Sequence, residues 1–256
     1  MKIIDKTNAL EILKDPKYLK ESVLDLSSLS ELKEIKAMAF AGKKEKIDKI
    51  IFPENLQKIG FAAFMGNKIK ELIFNSNLQT IEESAFERNE ITKIDLPLKL
   101  NEVSSFAFAH NKLKKVKFHR YISFIHENAF LENEINTITF DKNEILFDFN
   151  PFWNNNIQKI IIKSNNLIRI SNNIFEYHKI NIFKLEDCSI ERFYEIKDIE
   201  FSLVDHLFKF ENFINLKQIE LINDSFSKDK TLNLYFYFSG QEFKIYSQEA
   251  IEEIGI

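Results

Sequence analysis

The chain has 256 residues, 45% hydrophobic and 29% charged, with a formal net charge of −4 and one cysteine. That composition is globular and not disordered, carries no overall basic footprint for nucleic acid, and leaves neither an internal disulfide nor a cysteine-rich metal site. No stretch approaches the roughly 18 apolar residues of a membrane-spanning helix, and residues 1–6 lack the apolar core of a secretory leader, so the expectation is a cytoplasmic protein, with surface display or secretion as the alternative.

Residues 1–30 read as a helical N-terminal cap. Asn8, ahead of Ala9-Leu10-Glu11-Ile12-Leu13 and three positions before Glu11, has the form of a capping box. Asp15-Pro16 has the form of a second N-cap with a first-turn proline, predicting a further short helix over 17–21. Val23, Leu24 and Leu26 are strand-like. Leu32, Ile35 and Ala39-Phe40 then begin a pattern whose second half, Ile47, Ile50 and Phe52, arrives two residues late after the charged loop 42–46.

From residue 56 to 165 that pattern recurs without insertion or deletion, in five segments spaced by 22 residues and starting at Leu56, Leu78, Leu100, Ile122 and Glu144. Each holds an aliphatic or Phe three residues on, a small-residue–Phe pair (Ala63-Phe64 through Pro151-Phe152), and an asparagine: Asn67, Asn89, Asn111, Asn133 or Asn155. An apolar triplet such as Ile69, Leu72, Phe74 closes each segment. A period of this size marks a solenoid, in which a single turn buries its core only against its neighbours. The alternation ending each triplet predicts one short strand per turn, stacked into a curved parallel sheet, with short helical or 3₁₀ turns opposite. Phe40, Phe64, Phe86, Phe108, Phe130, Phe152 and Phe175 should form an aromatic spine. The asparagine column is read as buried amides bonding turn backbone that the sheet leaves unpaired.

After Asn165 the period slips by one, and Leu167, Ile170, Ile174-Phe175, Ile180, Phe183 and Leu185 fit a further full turn. Residues 186–230 read as distorted turns, with Leu216, Ile219 and Leu221 fitting a last triplet. Leu232, Leu234, Phe236 and Phe238, the turn signal Ser239-Gly240, then Phe243 and Ile245 predict a β-hairpin that covers the sheet edge, and Ser247 would cap a short helix to Ile254. The division is a cap at 1–30, repeats at 31–186, and degenerate repeats with a C-terminal hairpin cap at 187–256.

The full pattern is clearest in Leu78, Ile81, Ala85-Phe86, Asn89, Ile91, Ile94, Leu96 and Pro97, and it resembles the BspA-like class of leucine-rich repeats over roughly residues 32–185. The resemblance implies a curved leucine-rich repeat solenoid. Many members are bacterial or protist surface proteins that bind host proteins or other cells, and the class supplies no catalytic residues to carry over.

In such a solenoid the strand side chains facing away from the core line a concave binding face. The central turns would place there Lys93 and Asp95, then Lys115, Lys117 and His119, then Thr137, Thr139 and Asp141, then Lys159, Ile161 and Lys163. The lysines suit an acidic protein partner. No aromatic platform alternates with them, which argues against single-stranded nucleic acid. There is no phosphate-cradling glycine loop, no Gly-x-Ser-x-Gly and no His-Glu-x-x-His. His119 and His126-Glu127 lack metal-ligand spacing, and Cys188 has no neighbouring charge that would activate it. No cofactor or metal is expected. Trp153 reads as a packing variation beside the Phe152 spine. The leading reading is a non-catalytic protein-binding module, and the alternative is a structural or self-assembling role for the solenoid ends or the Phe-rich segment 201–213.

Overall fold

The computed structural model describes residues 1–43, 46–141 and 144–163, with side chains through residue 161 except at position 144. Further on it describes only the backbone of the strands Arg169–Ile170, Ile182–Glu186, Gln218–Ile222, Leu232–Ser239 and Glu242–Ser247. The readings of Phe175, Cys188, the segment 201–213 and the helix after Ser247 lie outside the described residues.

The chain winds as a parallel β-solenoid, and each turn has three sides. One side carries very short strands: Ile3–Ile4, Glu34–Ile35, Lys58–Ile59 and Thr80–Ile81 in one sheet, then Glu102–Val103, Phe124–Ile125, Glu144–Phe147 and Arg169–Ile170 in another. The strand side carries the strands that the apolar triplets predict. There Val23–Asp25, Lys49–Ile51 and Glu71–Ile73 are parallel neighbours. Lys115–Phe118, Thr137–Phe140, Lys159–Lys163, Ile182–Glu186 and Gln218–Ile222 are parallel neighbours in a second sheet. Most turns thus contribute two strands where the pattern predicted one, because the aliphatic near the start of the repeat also sits on a short paired segment; the turn of Thr80–Ile81 has no strand at 93–95.

Register follows the period. Lys115 faces Thr137 and Thr137 faces Lys159, each 22 residues on, while Lys159 faces Ile182, which carries the one-residue slip into the fold. The two-residue insertion in the loop 42–46 appears as the spacing of 24 between Glu34 and its partner Lys58. The last parallel strand is covered by the antiparallel hairpin of Leu232–Ser239 and Glu242–Ser247, so the sheet edge is occupied as expected.

The third side, at the Ala-Phe pairs, takes the form of overlapping β-turns. Ala63 donates to Gly60 and Met65 donates to Ala62, and Ala62 and Gly66 adopt left-handed backbone. Ser84 and Arg88, Phe106 and His110, and Asn128 and Glu132 repeat that pair of left-handed positions. The Phe side chains point inward from this side and stack face to face. Ring centroids are 5.0 Å apart from Phe40 to Phe64, then 5.4, 5.6, 5.7 and 5.6 Å down to Phe152. Such pairs add about 0.5–1.5 kcal/mol each beyond the area they bury.

The asparagine column is a second continuous spine. The Asn111 amide donates to the carbonyls of Phe86 (3.0 Å) and Phe108 (3.1 Å), and its oxygen accepts from the Ile91 N–H at 3.0 Å. Asn67, Asn89, Asn133 and Asn155 each donate to the same pair of turns in their own registers. Each amide therefore ties its own turn to the turn before it, bonding the Phe carbonyls that the backbone bonds between turns leave unpaired.

At the N-terminus one helix, Lys6–Lys14, buries Ala9, Ile12 and Leu13. Its cap is Asp5, whose carboxylate accepts from the N–H groups of Thr7 and Asn8. Asn8 completes the capping box by accepting from the Asp5 N–H at 2.8 Å, so the helix starts one turn earlier than the Asn8 reading placed it. Asp15 ends this helix and begins no second one. Pro16 disfavours helix at the residue before it. The chain instead forms a tight hairpin, Leu19–Lys20 against Val23–Asp25, with left-handed Glu21 and Ser22 at its tip.

Candidate functional site

Alternation along the strands sets the outward row. In Lys115–Phe118, Lys115 and Lys117 are exposed while Val116 and Phe118 are buried. In Thr137–Phe140, Thr137 and Thr139 point outward and half-buried over Ile138 and Phe140. Lys159 and Ile161 continue the row, in register with Thr137 and Thr139. Lys93 and Asp95 lie outward on the turn before, around buried Ile94, and pair with each other at 3.0 Å.

These residues converge. A groove of about 450 Å³ on the strand side is lined by Lys93, Asp95, Lys115, Lys117, Thr137, Thr139, Lys159 and Ile161. Thr92, Ile94, Lys114 and Val116 complete its lining. Two of these were missed because Thr92 and Lys114 lie at the corner just before the strand, outside the alternating positions. Ile94 and Val116 were missed because alternation assigns them to the core. Lys117 is held by Asp141 at 2.6 Å. Lys114, Lys115 and Lys159 form no ion pair among the described residues.

His119 does not join the groove. The residue is only 9% exposed, and its Nε2 donates to the Pro97 carbonyl at 2.9 Å while Nδ1 accepts from the Tyr121 N–H. Burial holds its pKa below the ordinary histidine value, against the opposing pull of the Pro97 carbonyl and Asp141. Asn75, in the same column, makes the equivalent bond to the Pro53 carbonyl at 2.8 Å. The alternation fails at this position because the strand ends at Phe118 and the chain turns in. Asp141 is also partly inward: its Oδ1 is buried with no hydrogen-bond partner among the described residues, and its other oxygen meets Lys117. For Lys163 the structure describes the strand backbone, which pairs with Glu186.

Other polar clusters lie off this face. His126 bridges Asp148 (3.1 Å) and Glu102 (3.2 Å) on the short-strand side, away from His119. Among the described residues no group of three or more His, Cys, Asp or Glu side chains is placed to hold a metal. Trp153 is 43% exposed, whereas Phe152 beside it is fully buried in the spine. No helix among the described residues is long and apolar enough to cross a membrane.

Comparison with known families matches residues 33–156 to the BspA type leucine rich repeat region, in six copies. The matched span covers the whole series of stacked turns from Glu34–Ile35 to the Phe152 spine residue. No curated protein matches the chain.

Proposed function

We propose that this chain, whose residues 33–156 are a BspA-type leucine-rich repeat region, is a non-catalytic module that holds an acidic segment of a partner protein in the strand-side groove. The observation that carries this reading is the convergence of Lys93, Lys114, Lys115, Lys117 and Lys159 on one groove. Lys114, Lys115 and Lys159 have no carboxylate partner among the described residues, so a partner's carboxylates would meet cations not already neutralised. Thr137 and Thr139 offer hydroxyls between the lysine rows, and Ile161 offers an apolar contact. Asp95 would set orientation by repelling an acidic residue at one end. The strand backbone runs on through Lys163, the register partner of Glu186. His119 and Asp141 stand behind the face and position it.

The test is binding of a fluorescein-labelled oligo-glutamate peptide, followed by anisotropy, to the wild type and to K115E/K159E. Removing two cations and adding two like charges should weaken binding at least about tenfold, and added salt should weaken the wild-type complex in the same direction. Equal affinities for the two proteins, both folded by circular dichroism, overturn the groove assignment. Tighter binding of a single-stranded oligonucleotide than of the peptide overturns the choice of a protein partner.

A further inference from the structure

We infer that Leu96 opens a seam in the solenoid, and that this seam creates the groove. The last apolar position of successive turns holds Phe52, Phe74, Leu96, Phe118 and Phe140, followed by Ile162 and Leu185, so Leu96 separates two pairs of phenylalanines. Phe52 stacks on Phe74 with centroids 5.4 Å apart, and Phe118 stacks on Phe140 at the same distance. Between the two pairs there is no ring to continue the stack. The effect reaches the main spine. Phe86 receives the edges of Phe52 and Phe74, and Phe130 receives Phe118. Phe108, between them, has only its stacked neighbours Phe86 and Phe130 among the described residues.

The backbone parts at the same place. Glu71–Ile73 ends one strand-side sheet and Lys115–Phe118 begins the next, and residues 93–95 between them pair with neither. On the short-strand side, Thr80–Ile81 ends one sheet and Glu102–Val103 begins the next. The third side stays joined: Ser84 donates to the Ser105 carbonyl at 3.1 Å, and Phe86 and Arg88 donate to Ala107 and Ala109 at 3.0 Å. On the strand side the bonds across the boundary lie at the two ends of the gap, from Lys112 N–H to the Ile91 carbonyl (3.0 Å) and from His119 Nε2 to the Pro97 carbonyl (2.9 Å), so the stack is hinged along the continuously joined side and yields between those ends. The groove lies on that opening, and Ile94 and Val116 line it because no continuous ladder closes over them. Seam and groove are one feature, and Leu96 is its positioning residue.

The structural part of this inference stands alone, and only its binding arm rests on the acidic-partner reading. The experiment compares Leu96→Phe with the wild type by amide hydrogen exchange and by oligo-glutamate binding. A ring at position 96 completes the column, so the amides of 93–96 should slow at least about tenfold as a ladder forms, while those of 71–74 stay unchanged. Peptide affinity should fall as the groove closes. Unchanged exchange in a folded L96F protein overturns the role of Leu96.

Over-packing could instead unfold L96F, so a second measurement leaves position 96 alone. In a C188S background, spin-label distances are recorded for the pair E71C and K115C across the seam, and for K115C and K159C, which are also two turns apart. A broader distribution across the seam is expected, and equal widths overturn the hinge. Should the wild type bind no peptide, the partner reading fails while exchange and distances still decide the seam.

Discussion

The His119 imidazole donates from Nε2 to the Pro97 carbonyl at 2.9 Å, the bond that the Asn75 amide makes to Pro53 two turns earlier. Because Nδ1 accepts from the Tyr121 N–H, only a neutral ring makes the two bonds together. Burial holds the folded pKa below 6.5, so the unfolded chain takes up its proton at higher pH than the folded one. Stability from this group is therefore complete above about pH 6.5, falls as pH drops from there to the folded pKa, and is level below it. The slope from one proton is at most about 1.4 kcal/mol per pH unit. His119→Asn keeps a donor for the Pro97 carbonyl and cannot titrate. Urea midpoints of both proteins between pH 8 and 5 should converge toward low pH, and parallel curves would refute the assignment.

Asn111 satisfies carbonyls of two turns and the N–H of Ile91, all within the core. Asn111→Ala strands these buried groups, each costing about 1–3 kcal/mol when left unpaired. A net loss of about 3 kcal/mol is expected by denaturant unfolding. Asn111→Asp retains the acceptor but presents a carboxylate to the Phe86 and Phe108 carbonyls, and should be worse still. A tolerated Asp would mean that the column does not work by donation.

How much of this was legible follows from what one turn can display by itself. The 22-residue spacing, the Phe spine and the Asn amides were readable because each recurs in register, and the stacked rings and paired amides match them. The charged row of Lys115, Lys117 and Lys159 was readable from alternation, and these residues do line one groove. The inward turn of His119 was not, since alternation holds only while the strand lasts, although Asn75 in the same column was a hint. The helix start was misread because Asp5 and Asn8 form a capping box with Asn in the position where Glu or Gln is the familiar signal. The seam was hidden because Leu96 satisfies the apolar pattern as well as Phe does; only comparison along the column exposes it.

Gly60 stands at a close approach between the first two turns. Its N–H donates to the Ile35 carbonyl at 2.8 Å, and a Cβ there would lie 2.8 Å from the Ala37 nitrogen and 3.0 Å from the Ile35 oxygen. Both are backbone atoms, so a whole turn must shift. Gly60→Ala should cost about 1–3 kcal/mol. Gly42→Ala has open space, and its left-handed φ of 54° is also adopted by Arg88, His110 and Glu132 at equivalent positions, so it should cost about 1 kcal/mol. Urea midpoints that rank these two variants in the opposite order would show that the turn boundary is compliant.

Ser104 repairs part of the seam. In the flanking turns a backbone N–H bridges the gap: Glu82 donates to Ile59 at 2.9 Å and His126 donates to Val103 at 2.9 Å. At the parted boundary the bond to the Ile81 carbonyl comes instead from the Ser104 hydroxyl, at 2.7 Å. Ser123 is the natural control, since its hydroxyl only supplements a backbone bond to the same Asn101 carbonyl. Ser104→Ala should therefore lose about 1 kcal/mol and Ser123→Ala close to none, because only the first removes the donor that reaches its carbonyl. Hydrogen exchange should localise the loss to amides around 80–82 and 102–104, the short-strand side of the seam. Equal, small effects from both variants would mean that this side of the seam is already open to water, and that the turn-side ladder with its Asn and Phe columns, together with the His119–Pro97 and Lys112–Ile91 bonds, holds the two parts of the solenoid together.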